Sequence, residues 1–228
     1  MIQPAGRSIQ DGWIDCTRIV TPGMTVWPGD PPVELRLVSS IRSGESCNVS
    51  QISMSAHTGT HMDAPFHYLA DGAGIDAAPL DVLVGHAHVI AIDDPICVRP
   101  GHLESLKPGA EAAVFFKTSR GSDQEANTDH SGFDENFKYI SLEAAQVLAT
   151  RGIRLVGIDT VSVGGFYDRM IDTHLALLQA GCWIVENLNL TDIEPGIWEY
   201  LCLPTRLSGC DAAPARVLLR PDLALNLR

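Results

Sequence analysis

The chain has 228 residues, of which 45% are hydrophobic and 19% charged, enough for one large domain with a sizeable core. Its formal charge of −12 argues against nucleic acid or an anionic membrane as partner, since both attract a basic face. No apolar run approaches the ~18 residues of a membrane span.

The opening MIQPAGRSIQDGW lacks the charged-then-apolar layout of a secretion signal. Cys16, Cys47, Cys97, Cys182, Cys202 and Cys210 form no CxxC pair and read as reduced thiols of a cytoplasmic protein. Period-two alternation predicts strands over 33–38 and 48–55, and short apolar runs predict strands over 87–92 and 112–117. Residues 121–137, polar and rich in turn formers, read as a long surface loop. A helix follows over 141–150, opened by Ser141 as cap and closed at Gly152. A strand over 154–158 leads to a second helix over 168–180, which Gly181 stops. Strands over 182–188 and 200–203 complete the pattern, an α/β or β-rich mixed domain. No repeat or linker divides it, so one domain over 1–228 is expected.

The stretch HTGTHMDAPFH, residues 57–67, concentrates three histidines and an aspartate. A helix would set His57 and His61 one turn apart but turn Asp63 away, and Gly59 and Pro65 both disfavour one. In an extended chain, positions 57, 59, 61 and 63 share a face, so the stretch is placed at a strand end running into a loop. Two imidazoles and a carboxylate converging on one point make a divalent-metal ligand set with open positions. His67, beyond a stiffening proline, reads as a further ligand or a general acid/base.

Two more residues stand out against their surroundings. Glu186 interrupts the apolar CWIVENLNL, where a buried glutamate needs a cation or hydrogen bonds unless it faces solvent on an edge strand. His174 falls on the apolar stripe of the second helix, the ordinary place for a core histidine with a satisfied ring nitrogen.

HTGTHMDAPFH resembles the H-x-G-T-H-x-D-x-P-x-H signature of the cyclase-type metal hydrolases, the family of bacterial kynurenine formamidase (arylformamidase). VWPGDPP, GIDTVSV, THLALLQAGCWIVENLNL and LPTRLSGCDAAPARVLL resemble further family elements in the family's order, covering about residues 13–220. The resemblance implies a swivelling β/β/α-type domain with a central barrel-like mixed sheet and flanking helices. It implies that His57, His61 and Asp63 hold a first metal, and that Asp63 bridges to a second held by His174 and Glu186. It assigns His67 as the catalytic acid/base and sets Trp27 against an aromatic substrate, with Phe66 and Phe166 as further pocket candidates. Zinc is the expected ion, with manganese the alternative for nitrogen and oxygen donors.

The expected activity is amide hydrolysis of a small aromatic molecule, with N-formyl-L-kynurenine first among substrates. A cyclic amide of the isatin type or a lactone is the alternative, and an inert metal-binding protein is a third reading. Relatives' assembly implies a homodimer or homotetramer. The chain departs from the formamidases at GGFYDRM, residues 164–170, and in the length of its 120–136 segment. Both departures bear on the substrate and not on the metal chemistry.

Overall fold

The structure, a computed structural model, describes residues 12–106, 112–118 and 132–222. Apart from residues 132–137, the expected surface loop over 121–137 lies outside the described residues. The strands are β1 (Ile14–Asp15), β2 (Glu34–Ser39), β3 (Val49–Ser53), β4 (His61–Asp63), β5 (Val84–Ala91) and β6 (Cys97–Val98). They continue with β7 (Ala113–Lys117), β8 (Tyr139–Ile140), β9 (Leu155–Ile158), β10 (Trp183–Glu186), β11 (Gly196–Pro204) and β12 (Ala212–Pro221).

Seven strands close into a mixed barrel in the order β12, β11, β5, β7, β9, β10, β4 and back to β12, with β1 added along β12. The barrel-like mixed sheet with flanking helices is therefore present. The runs β5–β7–β9–β10 are parallel and the remaining pairings antiparallel. β7, β9 and β10 are covered on both faces, which explains their largely apolar sequence, whereas β5 is partly exposed. Phe115 and Tyr200, ring centroids 5.4 Å apart, belong to the cluster inside the barrel with Met62, Val185 and Val217. Their neighbours Val114, Phe116, Val156 and Ile184 point outward and pack with Leu148 and Leu177 of two helices.

Those helices are Leu142–Thr150 and Met170–Leu178. Ser141 caps the first, its side chain accepting the Ala144 N–H, as its spacing predicts. The second starts two residues later than expected, because Arg169 takes a left-handed conformation (φ 51°) just ahead of it.

The alternating segments predicted as strands form β2 and β3, which among the described residues pair only with each other, with Leu35, Leu37, Val49 and Ile52 all exposed. The ten-residue β12, which contains Pro214 and Pro221, is not predicted at all, because proline removes a ladder donor. All six cysteines are thiols that take part in no disulfide.

Gly157 in β9 lies where a Cβ would come within 2.5 Å of Phe115 Cδ1 and 2.8 Å of Leu188 Cδ1. Both neighbours are fully buried and have no room to give. Gly157→Ala therefore costs ~1–3 kcal/mol of overpacking, seen as a lower urea midpoint with an unchanged slope.

Candidate active site

The short strand β4 is wedged between β10 and β12. In its register His61 lies opposite Glu186 on one side and Pro214 on the other, while Asp63 lies opposite Ile184 and Ala212. Directly opposed residues of an antiparallel pair share a face, so the ladder itself sets Glu186 beside His61. Period two then brings Asp63 to the same face.

His57 arrives differently from the extended geometry expected of it. Strand β3 ends at Ser53 and residues 56–60 form a turn, with Gly59 at φ 64°. That conformation suits glycine, and it swings His57 back over β4. His67 closes the single 3-10 turn Pro65–His67, started by Pro65 at its first position. His174 comes from the middle of the helix Met170–Leu178 and is 2% exposed.

Each of three imidazoles has one nitrogen tied outward. His61 Nδ1 donates to the Gly59 carbonyl at 2.8 Å and His174 Nδ1 to the Met170 carbonyl at 2.8 Å. His57 Nε2 donates to Asp211 Oδ2 at 2.9 Å. Because those acceptors cannot donate, the opposite nitrogen of each neutral ring turns a lone pair inward. What the lone pairs meet is carboxylate oxygen. His57 Nδ1 is 3.0 Å from Asp63 Oδ1, and His61 Nε2 is 3.4 Å from both Asp63 Oδ1 and Glu186 Oε2. His174 Nε2 is 3.3 Å from Glu186 Oε1, which also accepts the Val163 N–H at 2.7 Å.

Acceptor facing acceptor is repulsive unless positive charge lies between. His61 Nε2 and both Asp63 oxygens are buried without a hydrogen-bond partner, although their charges are close. Burial opposes charging His61, yet Asp63 and Glu186 push its pKa up to about 10 in the protein alone. Burial likewise opposes ionisation of Glu186, and His174 and His61 bring it down to about 2. The pair of carboxylates thus draws a cation into the site. The donor set, nitrogen and oxygen only, fits a divalent metal, with the other nitrogen of each histidine held as metal-binding histidines require.

Donor atoms cluster in two sets that share Asp63: His57 with His67, and His61 with Glu186. Asp63 is the common member, and its Oδ1 is approached by both His57 Nδ1 at 3.0 Å and His61 Nε2 at 3.4 Å. His67 lies in reach of the same point as His57, and burial holds its pKa below the ordinary histidine value, so the ring is neutral.

The pocket above these residues is walled by Trp27, Tyr68, Val161, Met170 and Asp30 among others. Trp27 lies 5.4 Å from the Phe166 ring and 5.1 Å from Phe133, so Phe166 backs the wall that Trp27 presents. Phe66 is not part of that lining, and its ring is 43% exposed. Its neighbour but one, Tyr68, is: it stacks on His174 with centroids 4.6 Å apart. Burial, with Glu186 and Asp63, raises the Tyr68 hydroxyl to about 12, so it stays a donor. Asp211 is the site residue that sequence reasoning missed. Its signal lay in LPTRLSGCDAAPARVLL, the C-terminal element that resembles the family's, and strand pairing brings it to His57.

The Cyclase family model matches residues 14–164, more than half of the chain. A solved structure described as a potential metal-dependent hydrolase with cyclase activity is 32% identical (TM-score 0.76, covering 91% of this chain and 96% of that one). A predicted metal-dependent hydrolase from Bacillus stearothermophilus is 30% identical over 91% of this chain and 97% of that one, with TM-score 0.76. Isatin hydrolase A from Labrenzia aggregata, bound to benzyl benzoate, is 25% identical over 91% and 92%, again with TM-score 0.76. With the buried donor set and the barrel in place, the chain belongs to the Cyclase family of metal-dependent hydrolases.

Proposed function

We propose that the protein hydrolyses the carbon–nitrogen amide bond of a small aromatic substrate, with aryl formamides such as N-formyl-L-kynurenine first in line. The observation that carries this reading is the meeting of three inward imidazole lone pairs with two buried carboxylates, beneath a pocket wall formed by Trp27. His57, His61, Asp63, His174 and Glu186 would hold a divalent cation, which would supply Lewis acidity toward a water and the substrate carbonyl. Zinc fits the nitrogen and oxygen donors best, and manganese is the alternative.

His67 then moves the protons. Its neutral ring takes one from the attacking water as oxygen bonds to the carbonyl carbon, and delivers it to the nitrogen as the C–N bond breaks. Trp27, backed by Phe166 and Phe133, stacks on the aromatic ring and sets the amide toward the buried donors. The likeness to isatin hydrolase A favours a second reading, the opening of a cyclic aryl amide by the same groups. The exposed apolar ribbon β2–β3 supports the expected homo-oligomer, since a two-stranded sheet is marginal alone and such faces mark contacts.

Three outcomes test the reading. A panel of N-formyl-L-kynurenine, formanilide, isatin and an aryl lactone separates the two readings by kcat/KM, and turnover of none of them refutes both. His67→Ala lowers kcat by roughly 10²–10⁴-fold while metal content by elemental analysis stays at the parent level; equal loss of metal moves His67 into the ligand set. Saturating zinc at about 100 times its Kd stabilises the parent by ~2.7 kcal/mol, and Asp63→Asn abolishes that gain in thermal unfolding.

A further inference from the structure

Asp211 is adjacent to the first residue of β12, and two main-chain contacts fix it there. Its carbonyl accepts the Ala64 N–H at 2.9 Å, and Ala212 beside it pairs with Asp63. The ladder that delivers Asp63 to the centre therefore also delivers the Asp211 carboxylate to its rim. Oδ2 lies 2.9 Å from His57 Nε2 and 3.5 Å from His67 Nδ1. The two imidazoles sit side by side, centroids 4.1 Å apart and 36° from parallel, with Asp211 at the edge they share.

His57 has the greatest need of such an anchor. His61 and His174 are oriented by main-chain carbonyls two and four residues away, Gly59 just ahead of β4 and Met170 in the same helix. His57 sits on the 56–60 turn, where its backbone N–H bonds to Ser55 Oγ at 3.2 Å and, among the described residues, its ring nitrogens meet the carboxylates of Asp211 and Asp63. A free imidazole there can turn over about its χ2 bond or change tautomer, and either motion removes the inward lone pair.

We propose that Asp211 is a positioning residue of the metal centre: it accepts the His57 Nε2–H so that Nδ1 presents its lone pair beside Asp63, and it holds His67 alongside. The inference rests on the metal-centre reading and on no particular substrate. It differs from a structural role for the carboxylate, because the side chain is 41% exposed and fills no part of the core.

The test compares zinc affinity, by competition with a chelator, and the kcat and KM of the preferred amide in Asp211→Ala and Asp211→Asn. Asp211→Ala binds zinc roughly 10–100-fold more weakly, as loss of an outer carboxylate on a metal-bound histidine does elsewhere. Its kcat falls with KM within about twofold. Asp211→Asn, nearly isosteric, falls between, because its amide oxygen still accepts the same hydrogen bond without the charge. The metal-free unfolding midpoint stays at the parent value in Asp211→Asn. Zinc affinities of both variants within twofold of the parent overturn the proposal. So does a lowered metal-free midpoint in Asp211→Asn that accounts for its whole loss of affinity. The affinity measurement needs no substrate, so it decides the role of Asp211 even where every amide in the panel is refused.

Discussion

Two buried carboxylates and three inward imidazole lone pairs cannot share one cavity without positive charge among them. Taking a single carboxylate out of water costs several kcal/mol, and placing acceptors against it adds repulsion. Asp63 is fully buried and Glu186 4% exposed, so solvent does not relieve either. A divalent ion relieves both at once. That requirement accounts for the two oddities of the sequence, a glutamate inside an apolar strand and a histidine on a helix's buried stripe. Each is unfavourable where it stands and becomes favourable when it faces a cation.

The barrel is built so that its weakest seam carries this charge. β4 has three residues, yet it joins β10 to β12 and completes the ring of strands. Two of those three residues, His61 and Asp63, are donors, and Glu186 lies across the ladder from His61. A cation bound there links β4 to β10 and to the helix Met170–Leu178. Closure of the fold and assembly of the site are then one event, and ligand binding adds directly to the stability of the closed barrel.

Much of this was legible in sequence, for identifiable reasons. Strands β7, β9 and β10 are largely apolar because both faces are covered, and such runs are readable without knowing their partners. The helix over 142–150 announced itself by Ser141, whose cap is a local interaction. The donors of HTGTHMDAPFH were legible by their density. Their geometry was not: Gly59 breaks the extension that alternation suggested, and the 56–60 turn, not a continuous strand, brings His57 to Asp63. Asp211 and β12 were hidden because their meaning lies in pairing with residues some 150 positions away in sequence, such as His57 (|i−j| = 154). The family likeness supplied what local pattern could not, by carrying His174 and Glu186 to the same centre before any pairing was known.

Residues 163–174 show how substrate and metal requirements are held apart within one segment. The Val163 N–H fixes Glu186, and the Met170 carbonyl fixes His174. Between them Gly164 packs so closely on Met170 that a Cβ would lie 2.7 Å from its Cα, and a Cβ on Gly165 would lie 3.0 Å from the Tyr139 ring. These glycines let the chain turn tightly enough for the helix to start with His174 aimed inward. Phe166 and Tyr167 are different: one backs Trp27 in the pocket wall, and the other is 75% exposed. Neither belongs to the donor set, so both can change while the contacts at Val163 and Met170 keep Glu186 and His174 where they are.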